Sequence, residues 1–465
     1  MSAPTALRLV ADDLSGAAEC AAVLAMATGR PAPLLFGDAA PRAGSYAVDT
    51  DGRESDAATA AQRTALAVRR ALMQTAGERV LVYKKIDSTL RGHIAHELRA
   101  LLAEPGLFDA AVVCPVLPEQ GRTLLGGVLH VRGEPLKDLR QLLETADERV
   151  ASLDADDSID EALAEGARLL AVDAEDESDL DRIAAALLRS EYRLLAVGSA
   201  GLAKALARQL LGLRTPELDL PRAATGPMVG VIGSFSPVAA SQLDAIARDS
   251  RAAVIRLAPD GWLDAARAAE AVERARPISR EGRPLVLTTK GAPVPGASSR
   301  ALVQAMAAAA EPLLRGASTL LLTGGDTARA VLDQLHINEL QVLGELEPGI
   351  CLSRPARLDA PHIVTKAGAF GDAGALLRVI RRFDTPLIRE EGSALHGSQA
   401  RHRHHHGRPH RRRPRDRRQE PRARGRAAKR LGPGRRRPRP PARRRAAHQY
   451  PGPGARGRSR GRRAV

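Results

Sequence analysis

Two neighbouring acidic residues follow the first apolar run of the chain. Asp12 and Asp13 come directly after Leu7–Ala11 and before a Ser-Gly pair at which a helical pattern begins. Carboxylates at this place can hold Mg²⁺, accept the proton of a substrate hydroxyl, or cap the helix. Capping accounts for one acid but not for two, so we favour a functional role for the pair.

A second polar cluster follows the apolar run Val80–Tyr83. The segment 84–92, KKIDSTLRG, brings together two lysines, one acid, two hydroxyls and Arg91. Lysine and arginine bind carboxylates, whereas aspartate and serine bind hydroxyls, so the segment has the groups needed to hold a polyhydroxy carboxylate. The alternative is a solvated loop. The segment 118–123, PEQGRT, is a weaker signal of the same kind.

Glycine-rich turns follow the apolar runs of the second half. They are GSFS (233–236), TGGDT (323–327) and KAGAFGD (366–372). Glycine lets backbone N–H groups approach phosphate oxygens, and the N-terminus of a following helix favours anions. Together the three turns predict a nucleotide site, which is not of the Walker-A type because GxxxxGK[ST] does not occur in the sequence. We interpret a fourth turn, GSAG (198–201), as helix–sheet packing.

All of these clusters follow short apolar runs that we predict to be strands. The runs are Leu7–Ala11, Val80–Tyr83, Ala110–Val113, Leu194–Val197, Val229–Ile232, Ala253–Leu257, Leu285–Thr288, Leu320–Thr323 and His362–Val364. Segments with helical periodicity, such as 62–73 and 180–188, lie between them. This alternation predicts an α/β protein with mainly parallel sheets. Since ligands of such sheets bind beyond the carboxyl ends of the strands, the clusters should lie near one another.

The chain of 465 residues is predicted to form two α/β domains. A Pro/Gly-punctuated stretch, 213–227, separates an N-terminal substrate domain (1–215) from a C-terminal nucleotide-binding domain (226–384). Aromatic residues are only 2% of the chain, so the core must be aliphatic. No apolar run approaches the ~20 residues of a membrane helix, and the first residues lack the basic region of a signal peptide. We therefore expect a cytoplasmic protein that does not interact with membranes.

The cysteines are far apart and match no metal-binding spacing. Cys20, Cys114 and Cys351 fit a reducing compartment, and we expect them to be small buried side chains.

The strongly basic character of the chain comes from its last 70 residues. Of the 70 Lys and Arg, 26 lie in 396–465 with 2 of the 54 acids, so this tail carries +24 and the rest of the chain −8. The tail has almost no aliphatic pattern, which predicts disorder. We do not expect nucleic-acid binding by the tail to be part of the protein's function.

The tail has a second possible origin. A nucleotide sequence built from codons permissible for residues 402–421 can be translated one base later. The resulting peptide is similar to the N-terminal strand and glycine turn of 4-hydroxythreonine-4-phosphate dehydrogenase-like enzymes. Our hypothesis is that the tail is a frameshifted remnant of a dehydrogenase gene.

The motifs, taken together and in this order, resemble the four-carbon acid sugar kinase family. They are ADDLSGA (11–17), KKIDSTLRG (84–92), GRTLLGG (121–127), GSAGLA (198–203), GSFS (233–236), TGGDTA (323–328) and TKAGAFGD (365–372). The resemblance covers residues 7–383. It implies ATP-dependent phosphorylation of the 4-hydroxyl of D-threonate, D-erythronate or 3-oxo-tetronate, with the substrate bound by the N-terminal domain and ATP by the C-terminal domain.

The resemblance also implies which residues contact the ligands. For the acid substrate these are Asp12, Arg53, Lys85, Ile86, Asp87 and Ser88. For ATP they are Ser234 or Ser236, Gly324, Gly325, Asp326, Thr327 and Gly368.

Our mechanistic hypothesis combines the two sets. Lys85, Arg91 and Arg53 hold the carboxylate and nearby oxygens of the substrate. Asp12 or Asp13 is the base for the 4-hydroxyl, and Asp326 is a candidate ligand of the Mg²⁺ that bridges the ATP phosphates. A dehydrogenase downstream would oxidise a 4-phosphorylated hydroxy acid, which favours D-erythronate or D-threonate. The alternatives are a 3-oxo-tetronate 4-kinase and a regulatory protein that binds nucleotide or sugar acid without turnover.

Overall fold

The computed structural model describes residues 5–37, 39–73, 79–144, 150–212, 220–221, 226–249, 251–290, 298–356 and 361–384. The basic tail and most of the 213–227 stretch lie outside these residues. The disorder, the frameshift origin and the linker therefore stay predictions, as do the two domain boundaries.

The first half of the chain contains eleven of the described strands and seven of the described α-helices. They are β1 (Ala6–Ala11), β2 (Ala32–Phe36), β3 (Tyr46–Asp49), β4 (Val80–Lys85), β5 (Ala110–Cys114), β6 (Arg122–Leu125), β7 (Val128–Val131), β8 (Glu134–Asp138), β9 (Val150–Leu153), β10 (Leu169–Val172) and β11 (Leu194–Gly198). The helices are α1 (Leu14–Thr28), α2 (Ala57–Leu72), α3 (Ile94–Leu102), α4 (Leu139–Leu143), α5 (Ile159–Ala164), α6 (Glu177–Arg189) and α7 (Ala200–Leu211). All six residues of β1 are buried, as expected for a strand covered by helices on both faces.

The second half repeats the alternation of strands and helices. Its strands are β12 (Met228–Ile232), β13 (Ala253–Leu257), β14 (Leu285–Thr289), β15 (Thr319–Thr323), β16 (Glu339–Glu347), β17 (Ile350–Pro355) and β18 (His362–Lys366). Its helices are α8 (Pro237–Arg248), α9 (Pro259–Leu263), α10 (Ala265–Arg280), α11 (Ser299–Leu314), α12 (Gly325–Gln334) and α13 (Ala375–Phe383). The predicted α/β class with mainly parallel pairing is confirmed.

One continuous sheet joins the described strands of both halves, apart from β6–β8. Its order is β13-β14-β12-β15-β18-β17-β16-β2-β3-β1-β4-β11-β5-β10-β9, and β6, β7 and β8 form a small separate sheet. The junction is the antiparallel pairing of β16 with β2, in which Leu340 lies opposite Leu34 and Val342 opposite Ala32. None of the nine apolar runs named above includes β2, β16 or β17, so the sequence analysis missed this junction.

Antiparallel pairing at the junction reverses one set of parallel strands relative to the other. Three consecutive pairs are antiparallel, namely β18–β17, β17–β16 and β16–β2. Twist of about 20–25° per strand pair accumulates over the steps from β15 to β1 and turns the two sets of carboxyl ends toward each other. Loops from both halves can therefore line a single cleft.

The core is aliphatic, as the composition predicts. Leu, Val, Ile and Ala fill both faces of the sheet, and the buried Trp262 donates its indole N–H to the carbonyl of Thr288 at 3.1 Å. Cys20, Cys114 and Cys351 are free and buried, as expected, and burial raises the pKa of the Cys20 and Cys114 thiols to about 12. Within the described ranges no helix is long and apolar enough to cross a membrane. The location in the cell stays a prediction.

Candidate active site

The two acids after β1 have different environments. Asp13 is the N-cap of α1 and accepts a hydrogen bond from the backbone N–H of Gly16 at 3.0 Å. Asp12 is buried and holds Arg53 through two hydrogen bonds, to Nε at 2.9 Å and to Nη2 at 2.6 Å. Burial favours a raised pKa for Asp12, but the charges of Arg53 and Lys84 outweigh it and hold the pKa below its ordinary value.

Arg53 bridges the two acids and connects them to the next loop. Its Nη2 lies 2.9 Å from Oδ1 of Asp13, and its Nη1 lies 3.8 Å from Oδ1 of Asp87. The backbone N–H groups of Gly52 and Arg53 also donate to the carbonyl of Asp12, at 2.9 and 3.1 Å. The loop after β3 is therefore fixed against the end of β1, which explains how a residue that is uninformative in the sequence enters the site.

The paired lysines at the end of β4 point to opposite faces of the sheet, as successive residues of a strand must. Lys84 is fully buried and forms an ion pair with Glu97 at 3.0 Å, so its role is structural. Lys85 faces the cleft and lies 3.3 Å from Oε2 of Glu19. Burial favours a lowered pKa for Lys85, but Glu19 and its other neighbours raise the pKa above its ordinary value.

The turn after β4 is organised around Asp87. This carboxylate accepts from Nε and Nη2 of Arg91, at 3.0 and 2.6 Å, and from the backbone N–H of Thr89 at 3.0 Å. Although burial acts in the opposite direction, these donors hold the pKa of Asp87 far below its ordinary value. Ile86 is a core residue whose N–H donates to the carbonyl of Gly198 at 2.8 Å. Its side chain does not line the cleft.

The turn after β12 meets the turn after β18. Ser236 caps α8 by accepting from the N–H of Ala239 at 3.0 Å and donates to the carbonyl of Gly368 at 2.7 Å. A Cβ on Gly368 would lie 2.6 Å from Oγ of Ser234, so the two turns are in close contact. Lys366 donates to three backbone carbonyls of its own turn, and burial lowers its pKa to about 8.

The turn after β15 brings glycine up to the acids of the first half. Gly324 has a φ of 100°, a conformation that favours glycine, and α12 begins at Gly325. A Cβ on Gly325 would lie 2.6 Å from Oδ2 of Asp13. The N-terminus of α12, which favours anions, therefore lies directly against Asp13.

A cleft of about 400 Å³ collects the residues that the motifs singled out. Its lining includes Asp13, Arg53, Lys85, Asp87, Ser88 and Arg91 from the first half and Ser234, Ser236, Gly324, Gly325, Asp326, Thr327 and Gly368 from the second. Two of the predicted residues, Asp12 and Ile86, lie behind the lining, the first as the partner of Arg53 and the second in the core. The sequence motifs thus converge on one site, although they come from separate segments.

Two charged residues at this site, Glu19 and Glu54, were not among the predicted site residues, and a third, Arg122, was included only in the weaker signal 118–123. Glu19 and Glu54 line the cleft, and Arg122 contacts Oγ of Ser88. Glu19 is one helical turn beyond Ser15 on an otherwise Ala-rich stretch of α1, and that isolated acid is a signal that the sequence offered. The contact of Arg122 depends on tertiary structure.

A cavity of about 390 Å³ on the other side of α12 contains two ion pairs between the halves. Asp49, at the end of β3, lies 3.0 Å from Nη1 of Arg329 on α12. Asp51 lies 2.6 Å from Nη2 of Arg300 on α11. Burial raises the pKa of Asp49 to about 7 in spite of its arginine partner. These pairs hold α11 and α12 beside the loop after β3.

The candidate metal ligand Asp326 lies among other carboxylates. Burial, together with Glu54, Asp13 and Asp51, raises its pKa to about 6. Across the described part of the chain, no three His, Cys, Asp or Glu side chains are close enough to form a metal site by themselves. Mg²⁺ in phosphoryl-transfer sites commonly has one or two carboxylates and takes its other ligands from phosphates and water, so the residues present fit this ion.

Family models match the two halves of the chain, from which the two sides of the cleft come. Residues 7–141 and 138–206 match the family model for a sugar-binding N-terminal domain, and residues 229–376 match that for a nucleotide-binding C-terminal domain.

Characterised relatives cover most of the chain. A D-threonate kinase of Cupriavidus necator is 35% identical over 79% of this chain and 95% of its own length. A D-threonate kinase of Bordetella bronchiseptica is 31% identical over 80% and 95%. Relatives at 27–29% identity are named 3-oxo-tetronate kinase and D-erythronate kinase.

A solved structure shares the fold. A Salmonella typhimurium LT2 protein, whose crystal structure carries the name of a tRNA synthase, is 22% identical with a TM-score of 0.65, over 82% of this chain and 100% of that one. At this identity the likeness concerns the fold alone. From the domain matches and the characterised relatives, the chain belongs to the four-carbon acid sugar kinase family, a family of phosphotransferases with an alcohol group as acceptor.

Proposed function

We propose that this kinase transfers the γ-phosphoryl group of ATP to the 4-hydroxyl of D-threonate or D-erythronate. The observation that carries the proposal is the contact of Asp13 with Gly325 across the cleft. It places a carboxylate of the sugar-acid side against the helix N-terminus of the nucleotide side. Phosphoryl transfer needs an acceptor oxygen and a phosphate in line at such a point.

Asp13 is the proposed base. Its carboxylate lines the cleft, whereas Asp12 is buried behind it and holds Arg53 in two hydrogen bonds. In the proposed step the 4-hydroxyl oxygen attacks the γ-phosphorus, the bond to the β–γ bridging oxygen breaks and ADP leaves. The hydroxyl proton passes to Asp13. Asp12 acts as a positioning residue through Arg53.

The charged wall of the first half is proposed to hold the sugar acid. Arg53, Lys85, Asp87, Ser88 and Arg91 lie side by side on the cleft. Hydroxyl groups of the substrate can donate to the carboxylate of Asp87 and accept from the cations. Because the ion pairs of Arg53 and Lys85 are largely buried, this part of the wall is formed before the substrate arrives, which lowers the entropic cost of binding.

The glycine turns of the second half are proposed to hold the phosphates. Ser234, Gly324, Gly325, Thr327 and Gly368 line that side of the cleft. Lys366 lies in the same turn as Gly368 and has backbone carbonyls as its hydrogen-bond acceptors, so its charge can act on phosphate oxygens. Mg²⁺, when bound through Asp326, would neutralise charge on the transferring phosphoryl group. The negative charges of Glu54, Asp13 and Asp51 act on Asp326 and raise its pKa, and a bound cation would offset them.

The choice of acid rests on the names of the relatives and on the frameshift hypothesis for the tail. The relatives named above include kinases for all three four-carbon acids, and the two at more than 30% identity are named for D-threonate. A dehydrogenase of the kind suggested by the shifted reading frame of the tail would consume a 4-phosphorylated hydroxy acid. That reaction favours D-threonate and D-erythronate over 3-oxo-tetronate, whose carbon 3 is already oxidised. No finding supports a binding protein without turnover.

The test is release of ADP by the full chain with Mg-ATP and each of D-threonate, D-erythronate, L-threonate and 3-oxo-tetronate. We expect release that depends on D-threonate or D-erythronate, with the phosphate located on carbon 4 by phosphorus–proton coupling. Turnover with 3-oxo-tetronate alone would replace the substrate assignment. Folded protein that binds ATP but releases no ADP with any of the four would overturn the proposed reaction.

A further inference from the structure

The cations that the sequence offers for the substrate carboxylate already have acidic partners. Arg53 is bound to Asp12 and Asp13, and Lys85 is paired with Glu19. Arg91 forms two hydrogen bonds with Asp87. Each of the three cations therefore has an acidic partner of its own. Each positive charge on this wall is therefore balanced locally, and a substrate carboxylate would have to compete with a protein carboxylate for it.

Arg122 is different because no acidic side chain among the described residues lies within salt-bridge distance of it. Its Nη1 contacts the hydroxyl of Ser88, and its guanidinium carbon lies 5.5 Å from the ring centre of Phe370. Both Ser88 and Phe370 line the cleft. The guanidinium therefore lies immediately behind the part of the cleft wall that these two side chains form.

Burial makes this lack of a partner costly. Arg122 is 9% exposed, and its Nε is buried with no hydrogen-bond acceptor among the described residues. Burial lowers the pKa of Arg122 even though Asp87 and Glu19 act in the opposite direction. A buried cation without a partner is unfavourable unless an anion binds it.

The backbone holds Arg122 firmly in this place. A short 3₁₀ turn, Pro118–Gln120, precedes it, and Gly121 has a φ of 64°. The N–H of Arg122 donates to the carbonyl of Leu117 at 3.1 Å, and the N–H of Leu117 donates back at 3.0 Å. The side chain thus starts from the first residue of β6, whose backbone is held by this pair of hydrogen bonds.

We propose that the positive charge of Arg122, acting at Ser88 on the cleft wall, holds the carboxylate of the substrate there and selects an acid over its uncharged analogues. A guanidinium without an acidic partner among the described residues attracts a carboxylate, and its contact with the hydroxyl of Ser88 brings this positive charge to the cleft wall. Ser88 then marks the carboxylate end of the substrate and Asp13 the hydroxyl end. Phe370, which belongs to the nucleotide side, packs against the guanidinium. This inference rests on the proposed function, since it assigns one end of that substrate.

The test compares each acid with its neutral amide, which keeps the 4-hydroxyl but carries no charge. The variants are Arg122→Gln and Arg122→Lys, and Arg193→Gln is the matched control. Arg193 forms an exposed ion pair with Asp109 next to the amino ends of β5 and β11, at the opposite edge of the sheet. We expect the control to behave as wild type.

The expected result for Arg122→Gln is a fall of about 10²-fold in kcat/KM for the acid, mainly through KM. The amide should change by less than about threefold, so that the preference for the acid is lost. Arg122→Lys should keep part of the preference because it keeps the charge. Equal losses for acid and amide would mean that Arg122 acts only by shaping the loop, and would overturn the proposal.

Calorimetric titration of D-threonate and D-erythronate without ATP separates this inference from the proposed reaction. Binding by wild type that Arg122→Gln weakens strongly supports the assignment even if no ADP is released. An unchanged Kd in the variant overturns the assignment while leaving the kinase reaction intact. Wild type that binds neither acid overturns both.

Discussion

Asp13 and Gly325 are in contact across the cleft, and they come from different halves of the chain. The ideal Cβ of an alanine at 325 would lie 2.6 Å from Oδ2 of Asp13. Asp13 cannot easily move away, because its other oxygen caps α1 and contacts Arg53. The position of the proposed base is therefore coupled to the backbone of the nucleotide side.

Gly325→Ala should separate activity from stability. The added methyl group displaces Asp13, and a misplacement of about 1 Å in a reacting group can reduce turnover by about 10²-fold. Alanine is the better helix former by about 1 kcal/mol, and Gly325 has no left-handed φ, so Tm should fall little or not at all. Steady-state ADP release and thermal unfolding measure the two effects.

Gly316→Ala is the matched control for this variant. The nearest atoms to a Cβ at 316 are backbone oxygens at 3.8 and 4.0 Å, so wild-type activity is expected. A Gly325→Ala enzyme with wild-type kcat would show that the contact has no part in positioning the base.

Asp13→Asn should lower kcat by about 10²–10⁴-fold with little change in ATP binding. Asparagine is as good an N-cap as aspartate, so α1 should keep its start and Tm should stay near the wild-type value. Single-turnover rates and ATP titration give the two readouts.

Asp12→Asn should mainly reduce stability, since it weakens the buried pair with Arg53. Breaking such a pair costs about 3 kcal/mol or more. Chemical denaturation measures this loss. If Asp12→Asn abolished turnover at unchanged stability while Asp13→Asn retained it, the roles of the two acids would be exchanged.

Gly368→Ala should raise KM for ATP and leave KM for the acid nearly unchanged. A Cβ at 368 would lie 2.6 Å from Oγ of Ser234, so the two turns that are proposed to bind phosphate would have to separate. A tenfold or larger rise in the ATP constant is about what a loss of 1.4 kcal/mol of binding produces. Initial rates with each substrate varied in turn decide the point, and a selective effect on the acid would contradict the assignment of this turn to the nucleotide.

Asp326→Asn should stabilise the ligand-free protein above pH 6 and have little effect below pH 4. The pKa of Asp326 is about 6 in the folded protein and 3.8 in its ordinary state. The folded state therefore binds the extra proton between these values, and wild type loses stability as the pH rises through this window. Asparagine removes that loss. Tm measured from pH 4 to pH 8 tests the prediction, and a difference between the proteins that did not vary with pH would contradict it.

The same variant should lose activity with Mg-ATP. Without the carboxylate, the magnesium concentration for half-maximal rate should rise. A magnesium dependence equal to that of wild type would remove Asp326 from the candidate metal ligands.

Local sequence patterns were enough to predict the class of the fold and the chemistry available at its loops. All nine apolar runs are strands in the structure, since short apolar stretches between polar turns are locally specified. The motif residues follow the carboxyl ends of these strands, and most of them line one cleft.

The different roles of chemically equal residues follow from tertiary packing and could not be predicted from the sequence. Lys84 and Lys85 have the same side chain, but one is a buried structural ion pair and the other faces the cleft, because strand alternation sends them to opposite faces. Burial behind Arg53 likewise separates Asp12 from Asp13.

The junction between the two halves also depends on tertiary structure. The pairing of β16 with β2 connects residues about three hundred positions apart, and no local pattern encodes such a contact. Arg122 shows the same limit, because the absence of a hydrogen-bond acceptor for its Nε among the described residues depends on every neighbour that packs around it. Residue types and local periodicity give the parts of this site, whereas non-local packing sets which charges are balanced and which remain available for a ligand.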